Sequence, residues 1–154
     1  MPEECRNIYK KARRVAGLTQ EAAAERLGIS VESVRAYETG QRVPPNDVVE
    51  DMVVCYDYQK LAFQHLHETN TLAAKVVPQL EERTLLETAI RIYNRLRRLE
   101  KGGAVERLLD IAEDGQIDNE ERPEFEEILT ELRDLVRSGM ELEIFCPKSD
   151  GGVC

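Results

Sequence analysis

Apolar residues recur three and four positions apart along most of this chain, as they do on one face of an α-helix. The series Leu85, Ala89, Ile92, Leu96 and Leu99 is one clear example. Segments that alternate apolar and polar residues, as half-buried strands do, are almost absent. The pattern therefore predicts an all-α protein.

The first half of the chain is divided into short helices by breaks at residues 17–19, 28–30 and 40–45, each of which holds Gly, Pro or a capping hydroxyl. Asn46 or Asp47 is predicted to cap a fourth helix that runs to Asp57, and residues 58–68 should form a fifth. The Thr69-Asn70-Thr71 break then sets a boundary. We expect a five-helix domain at residues 1–68.

Residues 69–146 form a second helical region in this interpretation. It should hold a long helix at 81–101, the Gly102-Gly103 break, a short helix at 104–113 and a last helix at 119–139, with the first and last paired as an antiparallel hairpin or bundle. Residues 147–154 are predicted to be a flexible tail. Residues 81–140 are expected to carry self-association, because the last helix has a long apolar stripe: Phe125, Ile128, Leu129, Leu132, Leu135, Val136 and Met140.

Charge is distributed unevenly between these regions. The whole chain of 154 residues carries a formal charge of −9, which by itself argues against a nucleic-acid partner. Residues 6–42, however, hold eight basic and four acidic side chains, a net charge of +4. Residues 43–154 hold 13 basic and 24 acidic ones, a net charge of −11. A nucleic-acid partner thus remains possible for the N-terminal part.

The chain begins with the polar and acidic residues Met1-Pro2-Glu3-Glu4-Cys5, and no later apolar run approaches the ~20 residues of a membrane helix. We therefore expect a cytoplasmic protein with no membrane partner. Its four cysteines include no CxxC pair, which indicates free thiols instead of disulfides or a zinc module.

Residues 19–38 have the features of two helices joined by a tight turn. Thr19 can cap the first helix, and Ala24 is small where another helix must cross closely. Gly28 can take the left-handed conformation that ends a helix, and Ser30 can cap the next. Ile29, Val34 and Tyr37 are then expected to face inward.

Over roughly residues 8–56 the sequence resembles the Cro and repressor-like helix-turn-helix family, also called XRE-type, which includes phage and mobile-element repressors. The resemblance rests on a spread of positions that match the family's motif: Arg13, Leu18-Thr19-Gln20, Ala24, Gly28, Val34, Tyr37-Glu38, Gly40 and Pro44. Ala12 and Ala23 depart from it, because the family usually has Leu there, so a thinner core is expected.

The resemblance implies a salt bridge between Arg13 and Glu38 with a structural role. It also implies that the helix capped by Ser30 enters the major groove, with base edges read by Val31, Glu32, Ser33, Arg35 and Ala36. Gln20, Gln41 and Arg42 would contact phosphates.

Other motifs are weaker. Asp110, Asp114, Gly115, Ile117 and Glu121 fit positions of a calcium-binding loop, but Ala112 stands where an oxygen ligand is needed, and Asp118 with Glu121 explains the segment as a capping box before the last helix. His65 and His67 are two apart on a predicted helix and point to different faces, so we interpret them as core or solvent histidines and not as metal ligands with Cys55. No catalytic constellation or cofactor motif is visible, and we expect no enzyme, metal or cofactor.

The leading hypothesis is therefore a transcriptional regulator, a repressor by the resemblance, that binds a double-stranded DNA operator as a homodimer. Two copies are expected because a domain of charge +4 neutralises few phosphates. The alternative is an antitoxin-like or antirepressor-like module whose acidic C-terminal helices bind a protein partner.

Overall fold

The structure, a computed structural model, describes residues 7–145 and divides into two compact units, one that runs up to Leu80 and one at Glu81–Glu143. Over these residues it consists of helices and turns with no strand, which confirms the all-α prediction. The first unit contains α1 (Ile8–Val15), α2 (Gln20–Leu27), α3 (Val31–Glu38), α4 (Asn46–Tyr56), α5 (Lys60–Thr69) and the short α6 (Ala73–Val76). The second contains α7 (Leu85–Lys101), α8 (Ala104–Ile111) and α9 (Arg122–Glu143).

Side-chain caps fix the starts of the first three helices. The side chains of Asn7, Thr19 and Ser30 accept hydrogen bonds from backbone amides in the first turns of α1, α2 and α3. Each such bond satisfies an amide that the helix itself leaves unpaired. Gly28 ends α2 in the left-handed conformation, with φ 65°, so the predicted capping roles of Thr19, Gly28 and Ser30 are confirmed.

The core of the first unit is built from α1, α2, α3, α4 and α5. Ala12 and Ala23, which depart from the resembled family, are fully buried there, beside the larger Met52, Tyr56 and Leu61. Burial of these larger side chains supplies most of the apolar surface that holds the helices together. The predicted five helices are present, and the compact unit also includes α6.

The start of α4 differs from the prediction. Neither Asn46 nor Asp47 caps it: the N-cap residue is Pro45, which makes no side-chain capping bond, and Asn46 is the first helical residue. The Asn46 side chain instead hydrogen-bonds His65 on α5. The prediction was wrong because a long-range partner competes with the local backbone for the same side chain.

In the second unit, α7 and α9 pack as the predicted antiparallel hairpin. Ion pairs join them in antiparallel order, Arg95 with Asp134 at 2.7 Å and Arg98 with Glu131 at 3.1 Å. The reciprocal hydrogen bonds of Asp118 and Glu121 form the expected capping box before α9. The hairpin is thus held in part by charged groups.

Apolar packing in the second unit is limited. Its buried cluster consists of Ala104, Ile111 and Ile128, with Leu99, Leu108, Phe125 and Leu132 packed against it. Part of the stripe that motivated the self-association prediction therefore belongs to the core of the second unit itself. Val136 of the same stripe is exposed. Packing within the second unit thus accounts for part of the stripe, and self-association through residues 81–140 stays a prediction.

Candidate nucleic-acid interface

The α2-turn-α3 segment presents one face of α3 outward. Val34, Tyr37 and Glu38 are buried against the rest of the unit. Ile29, in the turn, packs against the same core. Glu32, Arg35 and Ala36 lie on the opposite arc of the helix. Val31 and Ser33, which stand three and four positions before Val34 and Tyr37, lie at the edges of that arc because residues at this spacing share a face. The helix is therefore held by one side and open on the other.

An ion pair fixes α3 to α1. Arg13 Nε lies 2.5 Å from Glu38 Oε1, and Arg13 Nη2 donates to Glu38 Oε2 at 2.8 Å. A third donor of Arg13, Nη1, bonds the carbonyl oxygen of Leu18 at 2.6 Å. Both side chains are buried, and a bidentate pair of this kind has a defined geometry. The bridge that the resemblance implied is thus present as a link between α1, the α1–α2 turn and the end of α3.

The pKa of Glu38 reflects two opposing influences. Burial raises it, but hydrogen bonds from Arg13 and Gln20 favour the charged carboxylate and lower the pKa below its ordinary value. The pKa of Arg13 is raised by its hydrogen bonds with Glu38 against the effect of burial. The pair is therefore charged at neutral pH.

Of the five residues that the sequence assigned to base reading, Glu32, Arg35 and Ala36 lie on the outward arc of α3, and Val31 and Ser33 lie at its edges. Glu32 and Arg35 are exposed, whereas Val31, Ser33 and Ala36 are half-buried. The Ser33 hydroxyl hydrogen-bonds that of Ser30 at 3.0 Å, so part of its capacity is used in the cap. The arc and its edges together thus offer one acidic, one basic and two apolar side chains beside a capping hydroxyl pair.

The three residues assigned to phosphate contact stand in different surroundings. Gln20, the first residue of α2, donates its side-chain amide to Glu38 at 2.9 Å, and only part of that amide remains available. Gln41 is exposed. Arg42 lies over the Tyr37 ring, 4.7 Å from its centroid, and its Nη2 donates to the Tyr37 hydroxyl at 3.1 Å. The aromatic ring attracts the guanidinium and so limits the positions that it takes, while the Arg42 side chain stays exposed to solvent.

A buried polar cluster that sequence analysis did not identify joins α1, α4 and α5. The Tyr9 hydroxyl lies 2.8 Å from His65 Nδ1, and His65 Nε2 lies 2.9 Å from Asn46 Oδ1. The Asn46 oxygen can only accept, so Nε2 carries the proton and Nδ1 accepts from Tyr9. Burial lowers the pKa of His65 and, with a smaller effect of Glu68, raises that of Tyr9 to about 12. His65 is thus a neutral core residue, as one of our two interpretations of it expected.

The remaining candidate ligands do not come together. Within residues 7–145 no group of three His, Cys, Asp or Glu side chains is placed to hold a metal ion. Asp114, from the calcium-like segment, accepts a hydrogen bond from the backbone of Gln116, and the Asp118 carboxylate bonds the amides of Glu120 and Glu121. Cys55 is half-buried, and burial raises the pKa of its thiol. Cys5, Cys146 and Cys154, and the tail predicted at residues 147–154, lie outside the described residues.

Residues 10–62 match the family model of a helix-turn-helix domain. The match runs from within α1 to the start of α5 and includes all of α3. It confirms the helix-turn-helix prediction and supports a DNA-binding regulator. No curated protein and no solved structure matches the chain. In the part of the chain that the structure describes, no helix is both long and apolar enough to cross a membrane.

Proposed function

We propose that this protein is a cytoplasmic transcriptional repressor of the Cro or XRE type, which binds a double-stranded DNA operator as a homodimer through α3. The observation that carries the proposal is the outward arc of α3, exposed on a helix-turn-helix domain and anchored from behind by the Arg13–Glu38 pair. A recognition helix needs this combination, because the side chains that read bases must be free while the helix keeps a fixed orientation.

Glu32 and Arg35 are the side chains best suited to read bases by hydrogen bonding. A carboxylate accepts from the exocyclic amine of cytosine, and a guanidinium donates to the two acceptors of guanine. Val31 and Ala36 supply apolar contacts for thymine methyl groups, and Ser33 adds a hydroxyl that bonds either kind of base. The arc therefore suits a mixed half-site instead of a run of one base.

Gln20, Gln41 and Arg42 set the register of the domain on the duplex by contact with phosphates. Arg42 supplies the one positive charge among them. Because its guanidinium is already held on the Tyr37 ring, binding to a phosphate costs less side-chain conformational entropy. Gln20 adds the amide of the first residue of α2, where backbone N–H groups point outward.

A second candidate function is favoured by the net charge of −11 over residues 43–154. That region repels DNA and attracts a basic partner, as in an antitoxin-like or antirepressor-like module. A salt titration separates the two functions. For a DNA-binding dimer, the affinity for random duplex DNA falls steeply as salt is added. In a plot of the logarithm of the association constant against the logarithm of the salt concentration, each phosphate contact contributes about −0.9 to the slope. Absence of measurable binding to duplex DNA at low salt would favour the protein-binding alternative.

A further inference from the structure

One face of α7 is apolar and is left exposed by the residues that the structure describes, 7–145. Thr88, Arg95 and Leu99 turn toward the rest of the second unit, where Thr88 is fully buried and Arg95 pairs with Asp134. Five large apolar residues of the same helix are each between 49% and 69% exposed. With Ala89 they make up the outer α7 face: Leu85, Leu86, Ala89, Ile90, Tyr93 and Leu96.

We infer that the outer α7 face is the surface through which two copies of this chain associate, with the two α7 helices antiparallel. The inference rests on the proposed function, because the homodimer proposed there requires an interface. It places that interface on α7 and not on the apolar stripe of α9.

The spacing of the outer α7 face fits another helix. Leu86, Ala89, Tyr93 and Leu96 follow one another at intervals of three, four and three residues. This is the a/d spacing of helices that pack side by side at a small crossing angle, and Leu85 and Ile90 flank it on the two sides. A flat or loop-shaped partner would not require this periodicity.

The area of the face fits a stable dimer. A large side chain offers on the order of 200 Å² when it is fully exposed, so the five residues offer roughly 500 Å² per copy. A standard interface buries about 800 Å² on each partner, of which about 65% is apolar in homodimers. The outer α7 face therefore supplies about the apolar area that one partner contributes to a homodimer.

The charges at the two ends of α7 favour an antiparallel pair. Glu87 lies in the first turn, whereas Arg98 and Lys101 lie in the last. An antiparallel arrangement brings the acidic start of one helix toward the basic end of the other, and it also opposes the two helix dipoles. A parallel pair would place like charges together at both ends.

The second unit also needs additional apolar burial. Only three apolar residues of its described helices form a fully buried cluster, and a unit of this size has little stability from its own core. Association through α7 adds a second apolar layer to a hairpin whose own buried apolar cluster is small.

Sedimentation of the full chain tests the inference with three variants of α7. Leu86→Asp and Tyr93→Asp each place a charge in the outer α7 face, and Asp in the first turn is itself compatible with a helix N-terminus. Asn94→Asp is the matched control, because it puts the same residue next to Tyr93 on an exposed position outside the face. We expect a dimer for the wild type and Asn94→Asp at tens of micromolar, and monomers of unchanged helicity for the two face variants.

Truncation gives a second measurement that introduces no charge. Leu86→Ala with Tyr93→Ala removes apolar area and should raise the dimer dissociation constant roughly tenfold or more. Cysteine cross-linking tests the antiparallel arrangement. On mild oxidation of a mixture, Leu86→Cys should form a disulfide with Leu96→Cys more readily than Leu86→Cys does with a second copy of itself. Wild-type protein oxidised in parallel gives the background from the native cysteines.

A wild-type monomer at these concentrations would overturn the inference, as would face variants that remain dimeric. A parallel cross-linking pattern would overturn the antiparallel arrangement. Failure of the proposed function gives a different result: a dimer that is broken by the face variants but does not bind duplex DNA.

Discussion

The guanidinium of Arg13 donates two parallel hydrogen bonds to the carboxylate of Glu38, and only 9% and 3% of the two side chains are exposed. Arg13 belongs to α1, and Glu38 is the last residue of α3. The pair therefore determines how the proposed reading helix sits on the rest of its domain. Neither residue is available to DNA, so their role is to hold α3 in position.

Glu38→Ala should destabilise the first unit by about 3–5 kcal/mol, because it leaves a buried Arg13 charge without its partner. Urea unfolding followed by circular dichroism measures the loss. Glu32→Ala, on the exposed side of the same helix, should change stability by less than about 0.5 kcal/mol. Replacement of both partners, Arg13→Met with Glu38→Leu, should recover much of the loss. Equal effects of Glu38→Ala and Glu32→Ala would show that the bridge contributes nothing.

Stability of the first unit should fall in mild acid because of His65. Burial lowers the pKa of His65 in the folded protein below the value of about 6.5 in the unfolded chain. Above about pH 6.5 the imidazole is neutral in both the folded and the unfolded protein. Between that pH and the lower pKa of folded His65, only the unfolded chain binds the proton, and this stabilises the unfolded state. The urea midpoint should therefore decrease from about pH 6.5 downward. His65→Gln, which does not titrate, should flatten this part of the profile. A wild-type urea midpoint that stays constant below about pH 6.5 would contradict the lowered pKa of His65.

Arg42→Ala should weaken binding to all duplex sequences by a similar factor, since a phosphate contact carries no sequence information. The logarithmic salt slope should fall by roughly one unit per contact, measured by fluorescence anisotropy at several salt concentrations. Arg42→Lys is the control, because it keeps the charge and should keep most of the slope. A loss confined to one base position would instead identify Arg42 as a base reader.

Glu32→Ala should change base preference more than total affinity. A carboxylate near the DNA backbone reduces non-specific affinity while it selects cytosine, so its removal relaxes specificity without weakening the phosphate contacts. Competition among operator variants that differ at single base pairs measures the change. If preference stays the same at every position, Glu32 does not read bases.

Sequence analysis predicted the helix-turn-helix well because its signals are local. The caps at Thr19 and Ser30 and the left-handed Gly28 depend on the backbone within a few residues. It failed at Asn46 and missed the Tyr9–His65 contact, because those side chains meet residues that are distant in the chain. For α7 the periodicity of apolar residues predicts a helix but not which of its faces is buried. The face toward α9 includes Thr88 and Arg95, whereas much of the apolar face is exposed.

We propose that α3 reads a DNA sequence, and selection from a random pool of duplexes by the 154-residue chain shows whether it does. We expect an enriched two-fold symmetric site whose half-sites are about one helical turn, or a multiple of it, apart. Enrichment should change at particular bases in Glu32→Ala and Arg35→Ala, while Asn94→Asp selects the wild-type site. A pool that gains no common sequence after repeated rounds, under salt conditions in which the protein retains duplex DNA, would contradict the claim.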